Sequence, residues 1–225
     1  MDFSFLLDVF YSNTLFRGLM ITIVLALIAV TLGMLLAIIP TYFRLSRFKV
    51  LNFIGSAYVE VIRGTPLLVQ VMIIYAFVEL PVMTFLGMDF GAFLLGMFAL
   101  LINSSAYASE TFRAGILSVD RGQKEAGLSL GLSEIQAMRY IIMPQAIKNI
   151  MPALGNEFVT LIKETSIFMY LGIAELMYSA QIVKTATYQT KEVYIVTALL
   201  YFVLTFTTSK LMSKLEKRMR LQDAK

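Results

Sequence analysis

Long apolar runs separated by short polar connectors dominate the chain. Gly18 to Pro40 is 23 residues without a charge, which at ~1.5 Å per residue crosses the ~30 Å hydrocarbon core of a bilayer. A second run, 51–77, is interrupted by Glu60, Arg63 and the Arg63-Gly64-Thr65-Pro66 stretch. A third, 85–111, holds 20 uncharged residues from Phe90 to Ser109. A fourth, 145–171, contains Pro152, Glu157, Lys163 and Glu164, and a fifth covers 193–212. The pattern predicts an all-α integral membrane fold with five transmembrane helices in a single domain over 1–225. Ahead of the first span, apolar Phe3, Phe5, Leu6, Val9 and Phe10 interleave with Asp2, Ser4, Asp8 and Ser12, which reads as an outer interfacial segment over 1–14. No signal-peptide pattern is visible, so the N-terminus is read as mature sequence.

The connectors set orientation, because short cytoplasmic loops accumulate Lys and Arg. Of the 19 basic residues, 14 fall in the connectors after the first and third spans and in the C-terminal tail. The loop 79–89 has none. The N-terminus is expected outside and the C-terminus in the cytoplasm.

Composition agrees with this and narrows the chemistry. Charged residues make up 15% of the chain, against about a quarter in ordinary soluble domains. With no cysteine and no histidine, disulfides, thiolate chemistry and the usual zinc and haem ligands are excluded, and no metal site is expected. The net charge of +4 is spread between spans rather than gathered on one face, so nucleic acid is not an expected partner. The absence of G-x-x-x-x-G-K-[ST] means that this chain does not bind ATP by a P-loop.

The connector 119–143 is structured. Asp120 with Gln123, then Ser133 with Gln136, have the spacing of N-caps with back-bonding partners, and Gly131 suits the left-handed position that ends a helix. Two short helices should meet at a glycine elbow. In the second, Ile135, Met138, Ile141 and Ile142 form an apolar stripe before Pro144 stops the helix. That stripe serves either a cytoplasmic partner or the protein's own membrane domain, and periodicity does not separate the two.

Glu125-Ala126-Gly127, then Gly131, Ile141 and Met143-Pro144, resembles the "EAA" motif E-A-A-x3-G-x9-I-x-L-P of permease subunits of binding-protein-dependent ABC importers. Gly127 and Met143 depart from it, both mildly. Other segments look like the polar amino acid branch of that family: 60–70, Asn103-Ser104-Ser105-Ala106-Tyr107 with Glu110 and Arg113, and 144–158. The resemblance implies a MetI-like importer permease in the bacterial cytoplasmic (inner) membrane, not itself an enzyme and holding no cofactor. Its implied partners are a cytoplasmic ABC ATPase homodimer that binds ATP and Mg, a second permease subunit (itself or a sister chain), and an extracellular or periplasmic amino-acid-binding protein. It also implies that Glu125, Ala126, Gly127, Gly131, Ile141 and Pro144 couple to the ATPase.

Ionisable and amide groups at membrane depth are functional candidates. Arg63 lies about 20 Å into the second span at ~1.5 Å per residue, and Asn103, counted from the opposite edge, reaches a similar depth. An amino acid needs donors for its carboxylate and acceptors for its ammonium. Arg63, Thr65, Gln70, Asn103, Ser104 and Glu157 can supply both, with Pro66 opening a half-helix whose free N–H groups face an anion. Glu60–Arg63 reads as an ion pair or a gate, and Glu110–Arg113 as a local i,i+3 pair near the inner interface. An ion-coupled secondary carrier using the intramembrane carboxylates is the rival reading.

Overall fold

The computed structural model describes residues 13–81, 83–85 and 88–221. The interfacial segment expected at the start falls, as far as residue 12, outside the described residues. Those described form an almost wholly helical protein with three long apolar helices and two bent helix pairs, up to five spans in all.

Helix α1 (Thr14–Leu45) runs through Pro40 without a break. It lies against α4 (Phe90–Leu117) through small residues: Gly33 sits on Ser104 and leaves no room for a Cβ. Close approach of this kind is how membrane helices gain dispersion energy, since lipid removes the hydrophobic drive between them. Leu25, Ala26, Ala29, Leu100, Leu161, Ile162 and Phe168 fill the centre.

The second run is not one straight span. It is α2 (Lys49–Arg63) and α3 (Leu67–Phe77), turned 104° at Gly64-Thr65-Pro66. A residue before proline is pushed out of the α region and proline has no N–H to donate, so the helix ends there. Pro66 is the N-cap of α3 with φ −63° and ψ 138°, not a residue of its first turn as expected. Its carbonyl accepts from the N–H groups of Val69 and Gln70 at 3.0 and 3.2 Å.

The third span begins later than expected. Two-residue strands β1 (Thr84–Phe85) and β2 (Met88–Asp89) pair antiparallel, and Asp89 caps α4 by accepting from the N–H groups of Gly91 and Ala92 at 2.9 and 3.3 Å. The carboxylate satisfies two of the orphan donors at a helix start, which fixes that boundary.

After α4 come α5 (Arg121–Ser129) and α6 (Glu134–Ala137), then a π-helical turn, Met138–Ile142, leading into α7 (Met143–Glu164). Pro144 does not stop the helix. It sits in the first turn of α7, directly after the π turn, whose wider winding accommodates the ring. The fourth span therefore grows straight out of the connector. It passes into a 3-10 stretch (Thr165–Leu171), then bends 52° at Gly172 (φ +71°) into α8 (Leu176–Thr187). Helix α9 (Thr190–Leu221) closes the fold, with Met212 against Gly155 of α7.

The two ends are distinct. Leu15, Leu176, Ala180, Val183 and Val193 pack together at one. Val119, Ile142, Ala146 and Ile150 pack at the other, beneath the connector.

Candidate coupling surface and translocation site

Helix α5 is capped by Asp120, whose side chain accepts from Gly122 N at 2.8 Å. The expected reciprocal bond from Gln123 is replaced: its side-chain oxygen instead faces Gln145 at 3.4 Å. At the other end of α5, Gly131 N donates to Leu128 O at 3.0 Å and Leu132 N to Gly127 O at 3.1 Å. That pair of bonds is the Schellman arrangement, which demands a left-handed residue. Gly131 supplies it with φ +86°, and a Cβ there would meet nothing within 4 Å. The glycine is needed for its backbone angle and not for space.

Ser133 and Gln136 form a full capping box, at 3.3 Å from Gln136 N to Ser133 Oγ and 2.8 Å from Ser133 N to Gln136 Oε1. Gly127 is buried, and a Cβ there would stand 2.5 Å from Ile141 Cδ1, so the two motif residues pack on each other. The expected single apolar stripe divides. Ile141 and Ile142 turn inward on α4 and α7, while Ile135 is 80% and Met138 36% exposed, as is Leu130 before them at 84%. The reason is the π turn Met138–Ile142, whose wider winding rotates Ile141 and Ile142 away from the face of Ile135. Glu125 and Ala126 are exposed and Pro144 lies on the surface. Arg47, from the α1–α2 connector, grips Glu134 with Nη2 at 2.7 and 2.9 Å from its two oxygens. The elbow thus presents Glu125, Ala126, Leu130 and Ile135 outward on a base fixed to α7.

Deeper in, the break between α2 and α3 holds a polar network. Asn103 Nδ2 donates to Gln70 Oε1 at 3.1 Å. Gln70 Nε2 lies 2.7 Å from Ile62 O, 3.0 Å from Thr65 O and 2.9 Å from Thr65 Oγ1. The structure brings Thr65, Gln70 and Asn103 together. Among the described residues, Asn103 Oδ1 and Ser104 Oγ are buried without a hydrogen-bond partner. Buried polar atoms are normally paired; Ser104 Oγ is packed against Gly33 of α1, so Asn103 is the one that faces the Gln70 network with an acceptor to spare. Glu157, on α7, is half-buried and within Coulombic range of Arg63 and Glu164.

The charges pair differently from their spacing. Glu60 is exposed and makes no ion pair with Arg63 among the described residues. Arg63 instead reaches Glu110 at 3.4 Å and lies over the Tyr107 ring at 5.2 Å. Glu110 also takes Arg44 of α1 at 2.6 Å and Arg113 at 3.0 Å. The local Glu110–Arg113 pair is present, but it is one spoke of a hub joining α1, α2 and α4.

Sequence reasoning passed over two features. Arg44 counted only as a connector charge, although its side chain is 9% exposed. Glu175 was not singled out, yet it is fully buried as the N-cap of α8, accepting from Met177 N, Tyr178 N and the Tyr201 hydroxyl at 2.9, 2.7 and 3.0 Å. An acidic residue just before a helical run, after Gly172, was the available signal.

Long apolar helices, a bent half-helix pair lined by amides, and a rigid elbow at one end define a membrane permease rather than a soluble domain. Residues 29–221 match the family described as binding-protein-dependent transport system inner membrane component, and the chain belongs to that family. It is 34% identical over 207 residues to the glutamine transport system permease protein GlnP of Escherichia coli K12, covering 92% of this chain and 93% of that one. Identity to the arginine transport system permease protein ArtQ of Bacillus subtilis is 37% over 207 residues, again covering 92% and 93%. Among solved structures, an amino acid ABC transporter determined with histidines superposes with a TM-score of 0.86 at 45% identity, covering 97% of this chain and all of that one. The chain is therefore an ABC importer permease subunit of the amino acid branch, and not itself an enzyme.

Proposed function

We propose that this chain carries polar amino acids, of the glutamine and arginine class, inward across a bacterial cytoplasmic membrane by alternating access. The end of α1 at Thr14 faces outside, and the elbow and the C-terminal end of α9 face the cytoplasm. Two permease subunits form the path, two copies of a separate ATPase supply the energy, and an external binding protein delivers the solute. The whole chain acts as one domain.

The observation that carries this reading is the continuity of the elbow with α7. Gly131, the capping box at Ser133 and the Gly127–Ile141 contact hold α5 and α6 as one piece, and α7 leaves it through the π turn with no flexible joint. A push on Glu125, Ala126, Leu130 and Ile135 is then transmitted to the membrane. Exposed Glu125 is free to accept a charge-assisted hydrogen bond across that interface. Inside the bilayer, Asn103, Thr65 and Gln70 receive the polar backbone of the substrate, Arg63 its carboxylate, and Glu157 its ammonium, while Ser104 serves the α1–α4 contact. The Glu110 hub locks α1, α2 and α4 below that site, and Glu60 stands outside the lock.

The test is reconstitution with the partner ATPase and an amino-acid-binding protein. ATP hydrolysis should rise with loaded binding protein, and uptake should persist when a protonophore collapses the ion gradient while ATP is held high. Uptake that stops with the gradient and ignores ATP would replace this mechanism with an ion-coupled carrier.

A further inference from the structure

The end of the protein opposite the elbow carries a feature that transport itself leaves unexplained. Helix α8 ends at Tyr188, which adopts a left-handed backbone with φ +60° and donates its N–H to Lys184 O at 2.9 Å. Glycine or asparagine normally fills that position, and a bulky residue there is an outlier. Its side chain is 89% exposed, the most exposed large apolar-bodied side chain among the described residues. The fold thus holds an exposed aromatic ring on a strained backbone, and neither packing nor capping accounts for the ring.

The turn that bears it is clamped. Thr187 Oγ1 donates to Val183 O at 2.8 Å, the Tyr194 hydroxyl to Gln181 at 3.2 Å, and Lys184 Nζ lies 5.8 Å above the Tyr194 ring. Val183 and Val193 anchor both flanks in the apolar cluster with Leu15. The turn therefore holds the Tyr188 backbone in place while its ring stands free, and tyrosine, with only two side-chain torsions to order on contact, is a frequent anchor at protein interfaces.

We propose that Tyr188 is a docking anchor for the external solute-binding protein, inserting its ring into a pocket on that partner; the inference rests on the importer reading above. Dependence on such a partner is part of the family's description, and Tyr188 lies at the end away from the ATPase-facing elbow. A lipid-interface tyrosine is the competing occupant. The turn argues against it, because Thr185, Thr190 and Lys191, its near neighbours in the chain, are exposed and polar.

The experiment uses the full complex of permease and ATPase in nanodiscs, with amino-acid-binding protein loaded with glutamine or arginine as the probe. The readout is the binding-protein concentration that gives half-maximal ATPase stimulation. Tyr188→Gly relieves the backbone strain and removes only the ring, so the complex should be at least as heat-stable as the parent. The half-maximal concentration should rise roughly 10-fold or more, the scale of an interface hot spot, with the unstimulated rate unchanged. Tyr188→Phe, which keeps the ring, should stay within about 3-fold of the parent if the anchor works by packing. An unchanged half-maximal concentration in Tyr188→Gly overturns the anchor alone. Failure of any loaded binding protein to bind or stimulate the parent complex overturns the importer reading and the anchor with it.

Discussion

Replacing Gly131 with valine isolates one quantity, the energy of a left-handed backbone. Because a Cβ at this position would meet nothing within 4 Å, the effect of alanine comes from φ +86° alone, and valine adds its β-branch to the same backbone penalty. For an L-residue that conformation costs roughly 1–2 kcal/mol, and more when the side chain is β-branched. Asparagine is the best tolerated non-glycine residue there, so the order of damage should be Asn, then Ala, then Val. At about 1.4 kcal/mol per tenfold, alanine should lower the population of the intact Schellman turn about five- to thirty-fold relative to its opened form, and valine further. The global fold should hardly change, since α5 is an exposed piece of the surface. The assay is the ratio of amino acid taken up to ATP hydrolysed in proteoliposomes, read beside the thermal midpoint of the purified complex. Uptake per ATP should fall in the order given while the midpoint stays within a few degrees. Gly127→Ala is the control: its Cβ would press only on the flexible tip of Ile141 at 2.5 Å, so coupling should survive. A Gly131→Val complex with normal uptake per ATP would refute the rigid-elbow account.

Three further outcomes follow from the same structure. Glu110→Gln leaves Arg44, Arg63 and Arg113 facing one another without their carboxylate; with Arg44 nearly buried and the other two partly exposed, a loss of about 2 kcal/mol is expected, between the surface and buried limits, and chemical or thermal unfolding of the purified permease measures it. Asn103→Leu, which removes the donor to Gln70, should weaken the substrate dependence of uptake at least about 10-fold, the size of one lost hydrogen bond with an acceptor left unpaired; an unchanged half-saturating substrate concentration would take Asn103 out of the site. Glu175→Ala strips the acceptor from the Met177 and Tyr178 amides and the Tyr201 hydroxyl, so a loss of about 2–4 kcal/mol is expected, seen as a lowered thermal midpoint with substrate preference unaltered.

Much of this protein is written in local sequence. Spans follow from apolar run length, because a helix is the one open-ended structure that satisfies its own backbone in lipid. The elbow follows from Gly131 and Ser133, since caps and left-handed turns involve residues three to five apart. The break at Gly64-Thr65-Pro66 was legible for the same reason. Pro144 misled because its effect depends on its surroundings: beside a π turn it opens a helix instead of closing one.

What tertiary structure alone decided is which distant groups meet. Spacing paired Glu60 with Arg63, but the orientation of α2 against α4 turns Arg63 to Glu110, where Arg44 arrives from another helix. The 104° turn between α2 and α3, the splitting of the Ile135–Ile142 stripe and the burial of Glu175 are likewise invisible in a one-dimensional pattern. Local hydrogen bonds fix where helices begin and end, whereas their rotation and tilt are set by contacts such as Gly33 on Ser104, which join residues far apart in the chain.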